Sequence, residues 1–272
     1  MELSKLTKKR IHEYLKLGKR FDGRGLLDFR DIKIETNVVK NAEGSARVKF
    51  GETDVIAGVK LDVSEPFPDH EDEGTLMTTA EFLPLSSSKF EPGPPQIDAV
   101  ETARIIDRGI RESGFVDFKK LSVKEGKVWS IAIDMYSLNA DGNLIDACAL
   151  AAIAALKTAR FPKYDEKKER VAYGEKTDKK LPLTGRMPLT ATFYKIGKNL
   201  IVDPIEEEED SSEARISIAV SKDKEFLIHA VQKGGEGSFT EEETELIIDE
   251  AVKKHNVLFS SIKDIKEERK AK

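Results

Sequence analysis

Arg104, Arg108 and Arg111 follow one another at spacings of four and three within "DAVETARIIDRGIRES" (98–113), so a helix would carry all three guanidinium groups on one side. Planar guanidiniums in such a row can grip phosphates bidentately. Ala99, Ala103, Ile106 and Ile110 recur at helical spacing on nearly the opposite side and predict the buried face. The arginines also have acids within helical reach. Asp107 lies three residues after Arg104 and four before Arg111, and Glu112 lies four after Arg108. An ion-pair ladder and a phosphate-binding row therefore both fit this pattern.

A second candidate is "NADGNLIDA" (139–147), where a glycine turn leads from an apolar strand into an alanine-rich helix. Free amides and the positive end of the helix dipole would meet there, as an anion site requires. Leu144 and Ile145 offer no side-chain donors, however, and the carboxylate of Asp146 is expected to oppose a phosphate. A structural turn is the favoured reading. The acidic run Glu206 to Asp210, with Glu213, could supply oxygen ligands to a hard cation. Consecutive side chains splay apart, so a solvated loop is favoured. His12, His70, His229 and His255 show no ligand spacing, and no Ser/His/Asp pattern or Walker-type loop is present. The basic positions Lys8, Lys9, Arg10, Lys16, Lys19 and Arg20 could face RNA, an acidic subunit or only solvent.

The elements that would hold these residues can be read in order. After a basic amphipathic N-terminal helix, Ile32 and Ile34 alternate with Lys33 and Glu35 as in a half-buried strand. A hairpin is expected from Ala46–Phe50 and Val55–Val63, a strand from Met77 to Leu83, and a helix from about Asp98. Strand Val128–Leu138 then enters the helix from Leu144 to about Arg160. Residues 163–180 are charged and aperiodic, which predicts a linker. Beyond it come two hairpins, over 191–204 and 215–235, and a helix whose start places Thr240 and Glu243 in capping-box spacing.

Composition bounds the function classes. Of 272 residues, 35% are charged against 39% hydrophobic, with lysine and glutamate in excess, a bias similar to that of heat-adapted soluble proteins. The net charge of −5 means that a nucleic-acid role must rest on a local basic patch. The single Cys148, in an apolar run, excludes an internal disulfide and a multi-cysteine zinc site. No stretch nears the roughly 18 apolar residues of a membrane span, and the N-terminal helix lacks a signal-peptide core. The expected location is cytoplasmic, with no membrane contact.

Together, "RFDGR" (20–24), "GSARVKFGETDVIAGVK" (44–60), "ARIIDRGIR" (103–111) and "NADGNLIDA" (139–147) resemble the RNase PH superfamily in their order and spacing. Within it they resemble the non-catalytic ring subunits of archaeal exosomes. The resemblance implies an α+β chain with the RNase PH fold (ribosomal protein S5 domain 2-like), built of two related mixed-sheet and helix modules. The expected division is an N-terminal helix and lead-in (1–29), a first module (30–162), the charged linker (163–186), a second module (187–260) and a charged tail (261–272).

Active members of the superfamily trim RNA from its 3′ end, with inorganic phosphate as the attacking group. The resemblance implies that they hold phosphate by an arginine of the helix matching 98–112 and by a Gly-Gly-Thr/Ser type turn. Here that turn reads Gly142, Asn143, Leu144, and Arg215 stands where a second aspartate is expected. No catalytic residue is therefore assigned to this chain, and Arg104, Arg108 and Arg111 are assigned to RNA or phosphate binding. No cofactor is expected on the chain itself; magnesium and inorganic phosphate belong at the partner's active site. The implied partners are a catalytic RNase PH-like homologue in a hexameric ring of three heterodimers, a trimer of RNA-binding cap subunits, and single-stranded RNA. Two rivals remain at this point. One is a chain that performs phosphorolysis itself, with Arg108 for phosphate and Glu209 or Asp210 for magnesium; the other is a structural spacer without RNA contact.

Overall fold

The computed structural model describes residues 4–123, 126–165, 169–263 and 265. The first module is a five-stranded sheet of β1 (Ile32–Thr36), β2 (Gly44–Phe50), β3 (Thr53–Ser64), β4 (Thr75–Phe82) and β5 (Val128–Asn139) in the order β1-β2-β3-β5-β4. All pairings are antiparallel except β4 with β5. Period-two alternation in β3 sends Val55, Ala57, Val59 and Leu61 into the core, where each is fully buried. The second module is an antiparallel sheet of β8 (Leu189–Ile196), β9 (Asn199–Val202), β10 (Ala214–Lys222) and β11 (Phe226–Gly235) in the order β11-β10-β8-β9.

Two helices bind the modules together. Helix α3 (Leu144–Thr158) is buried almost all round. Its run of alanines and Cys148 explains why both sheets can approach closely; a Cβ on Gly44 of β2 would stand 2.3 Å from the Ala155 carbonyl oxygen. Helix α2 (Ile97–Ser113) buries Ala99, Ala103, Ile106 and Ile110 in the first core, as its periodicity predicts. It also buries Thr102, Ile105 and Gly109, and at Gly109 a Cβ would lie 3.2 Å from the Ala219 Cβ of β10. With both sides covered, α2 leaves a narrow outer strip that carries Arg104, Arg108 and Arg111.

Helix α1 (Lys5–Lys16) is capped by Ser4 and places Ile11 and Leu15 against Tyr194, Ile196 and Ile201 of the second module. Helix α5 (Glu241–Ile262) begins at the expected capping box, Thr240 with Glu243. The charged stretch expected to be a linker is ordered instead. β6 (Arg160–Asp165) pairs with β7 (Arg170–Lys180) as a two-stranded ribbon, while 166–168 lie outside the described residues. The ribbon was hidden in the sequence because only Val171 of β7 is buried and the strand otherwise presents charge to water. Of the expected tail, Ile262 still belongs to α5, and 264 and 266–272 lie outside the described residues.

Candidate functional site

The glycine turn before α3 exists, and backbone geometry requires its residues. Gly142 has φ 76° and Asn143 φ 54°. A Cβ on Gly142 would stand 2.4 Å from the Pro204 carbonyl oxygen, so the turn is pressed against the segment after β9. Thr53 Oγ1 donates to the Gly142 carbonyl at 2.7 Å. Arg30 donates to the Asp141 carbonyl at 2.7 Å and to Asp203 Oδ1 at 2.7 Å. Arg24 reaches Asp203 Oδ2 at 3.1 Å, and Asn143 Nδ2 reaches Asp203 Oδ1 at 2.9 Å.

Burial alone would raise the Asp203 carboxyl, but hydrogen bonds and charge from Arg30 hold it below the usual carboxylate range. Arg20, expected on an exposed basic face, is 2% exposed; it donates to the Val202 and Asp203 carbonyls and pairs with Glu208. The first and last residues of "RFDGR" thus tie the N-terminal lead-in to the second module, and Arg30 ties that module to the turn. Sequence reasoning missed this arginine and aspartate knot, since Asp203 lies about 180 residues away from the motif.

The amide of Asn143, the residue that precedes α3, already carries a carboxylate. Asn143 N donates to Glu209 Oε2 at 3.1 Å, and Tyr194 Oη donates to Glu209 Oε1 at 2.8 Å. The acidic run is therefore no solvated loop. It folds as the short helix α4 (Glu206–Glu209), with Glu208 buried against Arg20 and Glu209 turned onto the Asn143 amide. Burial raises the Glu209 carboxyl, while the Tyr194 hydroxyl and the Asn143 amide favour its charged form.

Asp146 does not oppose an anion at the turn. It points into the core, where its two oxygens accept from Thr192 Oγ1 at 2.7 Å and Thr192 N at 3.0 Å. Burial pushes it up to about 7. The negative charge facing the turn comes from Glu209.

A cleft of about 230 Å³ opens beside the turn, lined among others by Lys89, Asp98, Glu206, Asp210 and Arg215. Lys89 bridges Glu206 at 2.8 Å and Asp210 at 2.6 Å. Arg215 turns away to Glu101 at 2.6 Å. The cations of the cleft are thus already matched by carboxylates. Among the described residues no group of three or more His, Cys, Asp or Glu side chains could hold a metal ion.

A second groove, about 260 Å³, runs between α2 and β11 and is lined by Ile97, Val100, Glu101, Arg104, Arg108 and Gln232. The arginine row divides here. Arg111 pairs with Asp107 at 3.1 Å and donates to the Leu76 carbonyl at 3.1 Å, as the ladder reading predicts. Among the described residues, Arg104 and Arg108 have neither an ion pair nor a hydrogen bond, and both are exposed. Two of the four histidines sit in structural contacts. His229 Nε2 bonds Ser221 Oγ at 2.7 Å, and His255 is buried between Phe226 and Phe259. Burial pushes the Cys148 thiol up to about 12.

The model of the 3′ exoribonuclease family matches twice, with its domain 1 over residues 28–162 and its domain 2 over residues 186–254. The chain belongs to the 3′ exoribonuclease (RNase PH) family. The exosome complex component Rrp42 of Methanothermobacter thermautotrophicus is 44% identical over 253 residues, covering 93% of this chain and 92% of that protein. Rrp42 of Thermococcus gammatolerans is 47% identical over 257 residues, covering 93% and 92%. Among solved structures, a chain of an Archaeoglobus fulgidus exosome with RNA bound to the active site superposes with a TM-score of 0.86 at 39% identity, covering 94% of this chain and 97% of that one. An archaeal exosome core gives 0.83 at 36%, covering 95% and 97%.

The two-module RNase PH fold expected from the sequence is the fold observed. Among the described residues of this family member, no helix is long and apolar enough to cross a membrane.

Proposed function

We propose that this RNase PH-family chain is a non-catalytic, RNA-contacting subunit of an archaeal exosome-type complex that degrades RNA from its 3′ end. The observation that carries the reading is the Glu209 carboxylate on the Asn143 amide. An anion site at a helix N-terminus works because unpaired N–H groups and the dipole attract negative charge. Here a carboxylate of the chain's own α4 supplies that charge, and an incoming phosphate would meet repulsion.

Catalysis then falls to a homologous subunit. That partner is expected to hold magnesium and inorganic phosphate and to alternate with this chain in a hexameric ring of three heterodimers, with a trimer of RNA-binding cap subunits as a further partner of the complex. The ring works in the cytoplasm on single-stranded RNA. Arg104 and Arg108 contribute unneutralised cations that grip the RNA backbone beside the partner's active site, giving affinity without base readout. Arg111 stands behind them as a weaker contributor. The rival in which this chain catalyses phosphorolysis is disfavoured, because Glu209 is committed to the turn and Asp210 to Lys89.

Arg108→Glu tests the proposal in the assembled complex. Ring assembly, followed by size-exclusion chromatography with light scattering, should be unchanged, while RNA processing at limiting RNA falls. Unchanged processing sinks the RNA-contact reading.

A further inference from the structure

Glu101, Arg104 and Arg108 line one groove, at helix spacings of three and four that place all three on the same strip of α2. On an isolated helix Glu101 would neutralise Arg104, its i+3 neighbour. It does not do so here because Arg215 of β10 takes both of its oxygens, with Nη2 to Oε2 at 2.6 Å and Nη1 to Oε1 at 3.3 Å. The fold makes room for this reach. Arg215 stands opposite Gly234 in the β10–β11 register, and a Cβ at Gly234 would lie 2.1 Å from Arg215 Nη1 and 2.6 Å from Cζ. A glycine on the neighbouring strand is what lets the guanidinium lie across β11 toward α2.

We propose that Arg215 is a positioning residue for RNA contact: it sequesters the Glu101 carboxylate and so keeps Arg104 and Arg108 open to RNA phosphates. The inference rests on the reading of those two arginines as RNA contacts. It gives a use to the arginine that stands where the family resemblance leads one to expect an aspartate. In Arg215→Met the freed Glu101 swings onto Arg104, and the groove loses one net cation without losing an arginine.

The test uses the full-length chain and short labelled single-stranded polyuridylate titrated across a range of NaCl concentrations. Arg215→Met should weaken binding about twofold to fivefold, the range of an exposed ion pair. It should also flatten the salt slope by up to about 0.7, one single-strand phosphate contact. Glu101→Gln in that background should restore both quantities, whereas Glu101→Gln alone should leave affinity at or above the parent value. A merely structural role for Arg215 predicts no rescue by the double variant. Unchanged binding by Arg215→Met, or loss without rescue, overturns the proposal.

Should Arg215→Met unfold, Glu101→Asp carries the same test, since its shorter side chain withdraws from Arg215 yet stays beside Arg104; full affinity there is equally fatal. Arg108→Ala is measured in parallel. If it binds like the parent, the RNA-contact reading itself has failed; if it weakens binding while Arg215→Met does not, only the role of Arg215 has failed.

Discussion

The turn at residues 141–143 and the groove beside α2 each gather arginines near a place where an anion could sit, but they treat that charge differently. Around the turn, Arg20, Arg24 and Arg30 are matched by Asp203, Glu208 and backbone carbonyls, and Glu209 covers the Asn143 amide. In the groove, Arg104 and Arg108 have no partner among the described residues, while Asp107 is held by Arg111 and Glu101 by Arg215. Both places are basic when read as residue types. The location of the counter-charge decides which one can still bind an anion, and the counter-charges come from distant parts of the chain.

The largest effect should come from breaking the closed region. Arg30→Ala leaves Asp203 buried with only part of its compensation, and truncating one partner of a buried pair costs about 3–5 kcal/mol. Urea unfolding should show a loss of that order; a loss below about 1 kcal/mol would mean that the knot does not hold the modules together.

Asp146→Asn comes next. The folded-state pKa of Asp146, about 7, lies above the unfolded value of 3.8, so the folded chain retains a proton that the unfolded chain releases. Stability from this group is complete below pH 3.8 and is lost as pH rises through 7. Relative to the parent, the variant should therefore gain about 4 kcal/mol in unfolding free energy between about pH 4 and pH 8. A flat difference across that range would show that Asp146 is ionised in the fold.

Smaller changes should sharpen the contrast in the open region. Arg104→Ala and Arg108→Ala should each weaken RNA binding severalfold and flatten the salt slope by about 0.7, with stability within about 0.5 kcal/mol of the parent. Arg111→Ala should change RNA affinity least of the three, because its guanidinium is held by Asp107 and the Leu76 carbonyl. A loss at Arg111 equal to that at Arg108 would erase the division of the row.

Local periodicity made much of the fold legible. The apolar face of α2, the alternation in β3 and the capping box of α5 are all short-range patterns, and they formed where expected. The β6–β7 ribbon was not legible, because an exposed charged strand shares its composition with a solvated linker. At the site, the glycine turn and the arginine row could be placed from sequence, but their states could not. The electrostatic states of Glu209 and Asp146 depend on Tyr194, Asn143 and Thr192, which only the packed sheets bring together. Asp146 at a helix start reads as a charge facing the turn, whereas in the fold it turns inward to Thr192 of β8, where burial raises its pKa against the opposing pull of those hydrogen bonds.

The most direct test of the central claim is phosphorolysis of labelled single-stranded RNA by this chain purified alone, with magnesium and inorganic phosphate, beside the same reaction with its catalytic homologue added. A closed anion turn predicts no nucleoside diphosphate from the chain alone, and activity in the mixture above that of the homologue by itself. Nucleoside diphosphate released by the chain alone would contradict the account, because phosphate would then have reached a turn whose Asn143 amide carries the Glu209 carboxylate.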